Sequence, residues 1–390
     1  MAKRKKSLVF SRGEKGNFFS QEERAELLDK LPLLFEEEEV IVEQFFSFYR
    51  AVLREKKNLI FLSSPVVVSF LRNFLMEEVS SRGEQFIGLV DSSRPDLLLY
   101  WKDKLPPKNT ALVVLARPLE ELQLLLLAFS FPQWEKVLVG SNYGILAQSA
   151  QILFLPFLPT EIYHHYFWQR SALLYLPLIS LNLPVEELEE GFKKSDYLRE
   201  EAAALSLFIK EIEERGIERV NFLVDNSFIL SILQSFIPLL EYSCKGEGKM
   251  EFRAFDFSTM RDGQLFLSDN SIFILVKSEK INKIKFTLPS ALKRIDLFSP
   301  EGSVPTSGSW KEIKEIECRV VENLLYKEGK DFLKWEYYLP DFQTTGELMT
   351  FVRYLVSYNA WLRGLDLWSD PPVAEFDNQI WRLLASNKKQ

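Results

Sequence analysis

Short apolar segments alternate with amphipathic ones along most of this chain of 390 residues. The amphipathic segments carry apolar residues at the spacings of three and four that are typical of helices. The short segments are apolar at nearly every position, as strands are when helices cover both faces of a parallel sheet. The alternation therefore predicts an α/β protein with doubly wound parallel sheets, each a layer of strands between two layers of helices.

Two sets of such segments follow one another. The strands of the first set are predicted at residues 58–64, 84–92, 110–116 and 135–141. Those of the second set are predicted at residues 219–226, 250–257, 271–278, 283–288 and 332–339. Helices are predicted around them at residues 66–81, 94–105, 118–131, 160–181, 199–216, 229–246, 309–329 and 345–365.

The chain divides into four predicted segments on this basis. Residues 1–56 form a helical N-terminal arm, residues 57–195 and 196–344 form two α/β domains, and residues 345–390 form a C-terminal helix and tail. The stretch 299–309 is rich in Gly, Pro and Ser, so we predict that it is an exposed loop.

Composition excludes several classes of protein. The formal net charge of −7 argues against nucleic-acid binding, which needs a clustered basic face. The longest apolar run, residues 124–131, falls short of the ~20 residues that span a membrane, and we predict a buried helix there. With no signal peptide visible and only Cys244 and Cys318, we expect a cytoplasmic protein without a disulfide scaffold or a cysteine-based zinc site.

One carboxylate stands out at the end of the predicted helix 229–246. The strand 219–226 leads into this helix, and Glu241 lies near its C-terminal end. A strand followed by a helix that delivers one acid is a common way to position a general base. Glu241 is therefore the first candidate for a catalytic residue.

Several segments, in this order, carry a resemblance to a known family. They are VDSSRPDLLLYWKDKLPPKNTALVVLA (90–116), SALLYLPLISLNLPVEELEEGFKKSD (171–196), QSFIPLLEYSCKG (234–246), QLFLSDNSIFILV (264–276) and GELMTFVRYLVSYNAWLRGLDLWSDPPVAE (346–375). Their order and spacing resemble the phosphoglucose isomerase (glucose-6-phosphate isomerase) family, which is built from two sugar isomerase (SIS) domains. The resemblance covers about nine-tenths of the chain and implies two SIS-like α/β domains.

The resemblance implies a reaction and assigns some of its residues. The family interconverts aldose and ketose sugar phosphates through a cis-enediol, and a carboxylate that moves a proton between two carbons matches Glu241, followed by a lysine that matches Lys245. The family's charge-stabilising arginine falls on Tyr166 and its ring-opening histidine on Met260. Its final lysine falls at or near Asp377. These replacements imply impaired or absent isomerase activity.

The family's phosphate loops are also altered here. Small residues in such loops let backbone N–H groups and hydroxyls converge on an anion. In this chain Pro65 and Pro118 remove donors, which leaves Ser63, Ser64 and Arg117. These three residues either hold an anion weakly or are solvated loop residues.

Three functional hypotheses remain open from the sequence. The preferred one is a pseudoenzyme that binds a sugar phosphate or another small anion, or that acts as a regulatory relative. The second is an active isomerase rebuilt around Glu241, with His165 (or His164) and Arg170 as substitutes for the missing groups. The third is a purely structural interaction module. The resemblance also implies a homodimer, and we expect no cofactor, no metal, no nucleic acid and no membrane as partners.

Overall fold

A computed structural model shows two five-stranded sheets and a short two-stranded ribbon. The structure describes residues 8–12, 41–76, 85–117, 120–160, 168–193, 196–244, 250–261, 270–278, 285–287, 307–337 and 342–365. Within these ranges, no helix combines the length and the apolar content that crossing a membrane requires.

The first sheet is entirely parallel, with the strand order β3-β2-β4-β5-β6. Its strands are β2 (Asn58–Ser63), β3 (Phe86–Asp91), β4 (Thr110–Leu115), β5 (Glu135–Gly140) and β6 (Phe157–Pro159). All six residues of β4 are buried. Strands that are buried on both faces explain why these segments are apolar without alternation.

The second sheet has the order β1-β12-β9-β7-β8, and only β1 runs antiparallel to its neighbour. Its strands are β1 (Leu8–Arg12), β7 (Arg219–Val224), β8 (Glu251–Asp256), β9 (Ser271–Ser278) and β12 (Phe332–Tyr337). The ribbon pairs β10 (Lys285–Thr287) with β11 (Ser307–Ser309).

The helices lie around these sheets and connect their strands. They are α1 (Val42–Phe48, continued by a π-helical turn, Tyr49–Leu53), α2 (Pro65–Met76), α3 (Pro95–Lys102), α4 (Glu121–Phe129), α5 (Ile145–Leu153), α6 (Ala172–Ser180), α7 (Val185–Phe192), α8 (Asp196–Glu214), α9 (Ser227–Ser243), α10 (Ser258–Arg261), α11 (Trp310–Lys327) and α12 (Phe342–Leu362). The predicted fold class, α/β with two doubly wound parallel sheets, is confirmed.

Three helices cover one face of the first sheet. Leu98 of α3, Leu124 of α4 and Leu146 of α5 belong to one apolar cluster with the sheet residues that face them. The opposite face packs against α2 and α6, in a larger core that also contains α8, α9 and α12. Phe70 of α2 meets Phe236 of α9 edge to face, with ring centroids 6.5 Å apart. The core is therefore continuous from the first sheet to the second.

Helix α12 lies at the centre of that core. Most of its side chains are buried, and it packs against α7, α8 and α9. The approach to α7 is close because glycines face the partner backbone: a Cβ on Gly346 would overlap with the carbonyl oxygen of Leu188, and one on Gly191 with that of Gln343. The predicted C-terminal helix thus has a structural role in joining the two halves, while residues 366–390 lie outside the described part.

The structure differs from the sequence prediction at several places. Strand β1 falls inside the predicted helical arm, where it covers the open edge of β12; the arm's residues 13–40 are not among the described ones. Helix α5 and strand β6 were not predicted, because β6 has three residues and shows no usable period. Residues 307–309 of the predicted loop form β11. The four-segment division of the chain stays a prediction.

Helix α4 corrects a further expectation, since it is not wholly buried. Leu124 and Ala128 face the sheet with exposures of 1% and 0%, but Leu126 on the opposite side is 56% exposed. The run of apolar residues at 124–131 therefore combines a core face with an apolar surface.

Candidate ligand site and active site

The predicted anion-binding residues meet at the carboxyl edge of the first sheet. Strand order reverses there between β2 and β4, so the loops after these strands leave in opposite directions. Open α/β sheets bind ligands in the crevice that this reversal creates. Ser63 ends β2 and donates a hydrogen bond from its Oγ to the Leu115 carbonyl at the end of β4, over 2.5 Å. Ser64 and Arg117 follow these two positions in the chain.

Ser64 is the residue of this group that has hydrogen-bonding capacity to spare. It is 5% exposed, and its Oγ has no hydrogen-bond partner among the residues that the structure describes. It directly precedes Pro65, the first residue of α2, where the backbone N–H groups of a helix start are available to an anion. A buried hydroxyl without a partner is costly, which makes it a candidate contact for a ligand oxygen.

Arg117 supplies a buried positive charge at the same edge, but a neighbour compensates it. Its side chain is 6% exposed and forms an ion pair with Glu120, including an Nε to Oε2 hydrogen bond of 3.0 Å. An incoming phosphate would share or displace this carboxylate. Arg117 can therefore contribute to anion binding, but its ion pair with Glu120 should make that binding weaker.

Glu121, beside this pair, turns away from the crevice. Its carboxylate accepts backbone N–H bonds from Ser141 (3.2 Å) and Leu146 (3.1 Å), at the N-terminus of α5. A Cβ on Gly144 would overlap with the carboxylate in its present position, so glycine allows this close approach. Burial raises the pKa of Glu121, and the backbone donors oppose that shift. The capping role of Glu121 could not be predicted from the sequence, because it depends on contacts between residues 20 and 25 positions apart.

Glu241 lies at the opposite, amino end of the strands of the second sheet, far from their carboxyl edge. Helix α9 begins after the carboxyl end of β7 and runs back, so its last turn reaches the start of β8. There Glu241 Oε1 accepts a hydrogen bond of 3.3 Å from the backbone N–H of Phe252. The carboxylate is half-buried and has a structural bond of the kind that fixes a helix end to a strand.

Arg170 belongs to a buried charge cluster rather than to either sheet edge. Its guanidinium forms an ion pair with Glu189 of α7, with both side chains almost fully buried (11% and 6% exposed). Tyr175 donates its hydroxyl to the second Glu189 oxygen over 2.5 Å. Burial, followed by the negative charge of Glu189, raises the pKa of Tyr175.

A second arginine, Arg353 of α12, interacts electrostatically with the same cluster. Burial and the nearby positive charge of Arg170 lower the pKa of Arg353 to about 10. The cluster thus places the charge of Arg353 on α12 close to the buried charges of the first half. Sequence reasoning proposed Arg170 as a catalytic substitute and did not identify Glu189 as its partner, because the two residues are 19 positions apart.

Most of the remaining predicted site residues fall outside the part of the chain that the structure describes. His164, His165, Tyr166, Lys245 and Asp377 lie outside the described residues. Met260 falls within α10, but its side chain is not described. Both cysteines are buried thiols, and burial raises the pKa of Cys244 to about 11 and that of Cys318 to about 12.

No protein-family model matches the chain, and no curated protein sequence matches it. What is known by comparison therefore comes from solved structures.

Two solved structures resemble nearly the whole chain. A hypothetical protein from Thermus thermophilus has a TM-score of 0.71 at 15% identity, covering 93% of this chain and 94% of its own. Glucose-6-phosphate isomerase from Chlamydia trachomatis has a TM-score of 0.69 at 11% identity, covering 94% of this chain and 78% of its own.

A third structure matches less closely. A putative tagatose-6-phosphate ketose/aldose isomerase from Clostridium novyi has a TM-score of 0.51 at 12% identity, covering 86% of each chain. Identities this low establish the fold alone. The chain therefore has the two-domain SIS-like fold that is also found in glucose-6-phosphate isomerase, as the sequence predicted.

Proposed function

We propose that this protein binds a sugar phosphate at the carboxyl edge of its first sheet and has little or no aldose–ketose isomerase activity. In this proposal it is a divergent relative of glucose-6-phosphate isomerase that acts through binding or regulation. The fold makes such a ligand reasonable, because proteins of this fold include a glucose-6-phosphate isomerase. The site residues decide how much of the chemistry remains.

One observation carries the binding part of the proposal. Ser64 holds a buried hydroxyl with no described partner at the point where the strand order of the first sheet reverses. The start of α2 and the buried guanidinium of Arg117 lie at the same edge. A phosphate oxygen there would accept from a hydroxyl and from backbone N–H groups, and its charge would be balanced by Arg117.

Glu241 and Arg170 both have structural partners, and this supports a loss of catalysis. A general base has to reach the substrate carbon, whereas Glu241 accepts a bond from the Phe252 backbone. Arg170, a candidate for stabilising the enediol charge, is held by Glu189. Losing an acid–base group costs ~10² to 10⁴ in rate and losing a charge-stabilising donor ~10² to 10³, so the two together leave little turnover.

The rebuilt-isomerase alternative requires Arg170 to leave Glu189. That movement would separate a buried carboxylate from a buried guanidinium. Breaking a buried ion pair costs several kcal/mol of folding free energy. The arrangement of Arg170 therefore weighs against this alternative. The finer parts of our proposal, a homodimer and a cytoplasmic location, follow the sequence expectations and the two buried free thiols.

Calorimetric titration with fructose 6-phosphate tests the binding site. We expect weak binding to the native protein, and Arg117→Gln should raise Kd about tenfold or more, because a hydrogen bond to a charged group contributes about 1.5–3 kcal/mol. Ser64→Ala should weaken binding by a smaller factor. Titration with fructose and with inorganic phosphate separates recognition of the sugar from recognition of the anion.

Arg219→Gln provides the matched control. Arg219 is also paired with a glutamate, Glu251, but it lies at the start of β7 on the second sheet. Its removal should leave Kd unchanged. The binding proposal fails when fructose 6-phosphate does not bind, or when Arg117→Gln and Arg219→Gln have equal effects.

A further inference from the structure

Exposed apolar side chains lie on and next to two neighbouring helices on the outside of the first sheet. Helices α4 and α5 pack on the same face of the sheet and contact each other. We define the α4–α5 face by its six large exposed side chains, which with their exposed fractions are Leu126 (56%), Phe129 (39%), Tyr143 (94%), Ile152 (73%), Leu153 (48%) and Phe154 (94%).

This face has no charged side chain in its own sequence. Residues 122–134 and 137–160 contain no Asp, Glu, Lys or Arg, although charged residues make up 26% of the chain. Helix α3, in the same layer, has Asp96 and Lys102 and is followed by Asp103 and Lys104. Interface cores in proteins are depleted of charge and enriched in aromatic residues, whereas ordinary solvated helices are not.

Phe154 adds an independent observation. It ends α5 in the left-handed conformation, with φ of 53°. Glycine or asparagine normally takes this position, because a bulky side chain there costs roughly 1–2 kcal/mol. Phe154 is nevertheless an aromatic residue that is almost fully exposed, so nothing within the described fold compensates for the strain. Contact with another molecule would do so.

The available area fits a stable interface. Aromatic side chains bury about 150–250 Å² each. Scaled by their exposed fractions, Phe129, Tyr143 and Phe154 present on the order of 450 Å². The exposed Leu and Ile side chains add to this area, so the α4–α5 face approaches the roughly 800 Å² that one partner contributes to a standard protein–protein interface. Strand β6 forms one edge of the first sheet and pairs only with β5 among the described strands.

We propose that the α4–α5 face is the contact surface between two copies of this chain. In a two-fold symmetric interface both copies contribute the same patch, so a patch without charged side chains buries no unpaired charge. The protein has a net charge of −7, so two copies carry the same net charge and repel each other at long range. An uncharged apolar face is where that repulsion is least. This inference specifies the homodimer of the proposed function and rests on that part of it.

Other occupants fit this surface less well. Adsorption to a membrane favours basic residues around the apolar side chains, and this face has none. A strongly charged partner protein would find no complementary charge here. A second copy needs neither feature.

Sedimentation equilibrium of the full chain, with matched lysine substitutions, tests the inference. We expect the native protein to be a dimer. Leu126→Lys should raise the dimer dissociation constant about 100-fold or more, because the substitution buries an unpaired positive charge in the interface. Leu99→Lys is the control, since Leu99 lies on α3 in the same helical layer and is 58% exposed, against 56% for Leu126. It should leave the dimer intact.

Phe154→Asn is a second interface variant, which tests the same surface if Leu126→Lys folds poorly. Asparagine relieves the left-handed strain, so the unfolding temperature of the isolated subunit should not fall, while the dimer dissociates about tenfold more readily. A monomeric native protein would overturn both the dimer and its surface. A native dimer that survives Leu126→Lys and Phe154→Asn, or that Leu99→Lys disrupts equally, would overturn the surface alone. In neither case is the ligand proposal affected.

Discussion

Replacing Gly346 with alanine is expected to destabilise the protein by about 2–4 kcal/mol, although the same change in an open helix stabilises by roughly 0.5–1 kcal/mol. The reason is the contact between α12 and α7. The new Cβ would overlap with the carbonyl oxygen of Leu188 and would lie 3.0 Å from the backbone nitrogen of Phe192. Neither backbone atom can move without separating the two helices. Urea unfolding of both proteins measures the difference.

Gly216→Ala is the matched control for that substitution. Gly216 has φ of 84°, and a Cβ there would meet no atom within 4 Å. Its cost should be limited to the left-handed backbone, about 1–2 kcal/mol. If Gly346→Ala instead stabilises the protein, or costs less than the control, then α7 and α12 do not approach as closely as described.

Replacing Glu189 with alanine should cost about 3–5 kcal/mol, as expected when one partner of a buried ion pair is removed. The change takes away the carboxylate that Arg170 and Tyr175 both contact. It also leaves Arg170 close to Arg353, whose pKa is already lowered by burial and by that neighbour. Two positive charges would then be buried near each other with less compensation. The unfolding free energy in urea gives the size of the effect.

Two further variants distinguish a buried pair from an ordinary one. Glu211→Ala removes a glutamate that pairs with Arg215 on the surface of α8, where both side chains are about half exposed (46% and 61%). That change should cost less than about 0.5 kcal/mol. The double substitution Arg170→Met with Glu189→Met should cost less than Glu189→Ala, since it removes both charges together. Equal costs for Glu189→Ala and Glu211→Ala would show that the Glu189 cluster is solvated.

Much of the fold could be predicted because its strands are buried on both faces. Continuous apolar runs such as residues 110–116 have few alternatives to a parallel strand, and the structure places β4 at Thr110–Leu115. Strand β1 could not be predicted, because five residues carry too little pattern and its pairing with β12 joins the two ends of the chain. Short or long-range elements of this kind depend on tertiary contacts rather than on local sequence.

The candidate site was only partly predictable, for a related reason. Residues at the ends of strands are placed by the sheet itself, so Ser63, Ser64 and Arg117 could be identified from sequence and do lie at one edge. The partners of Arg170 and Glu241 could not. Each of these two charges is held by a group that is distant in the chain, and the packing of the helices determines whether the charge is free for chemistry.

The central claim is that this SIS-like fold retains a ligand site without efficient isomerisation. The most direct measurement supplies fructose 6-phosphate to the purified protein and follows glucose 6-phosphate with a coupled dehydrogenase. We predict turnover close to the uncatalysed background, with Glu241→Gln indistinguishable from the native protein. Clear turnover that is abolished by Glu241→Gln would contradict the account and would establish Glu241 as a working general base.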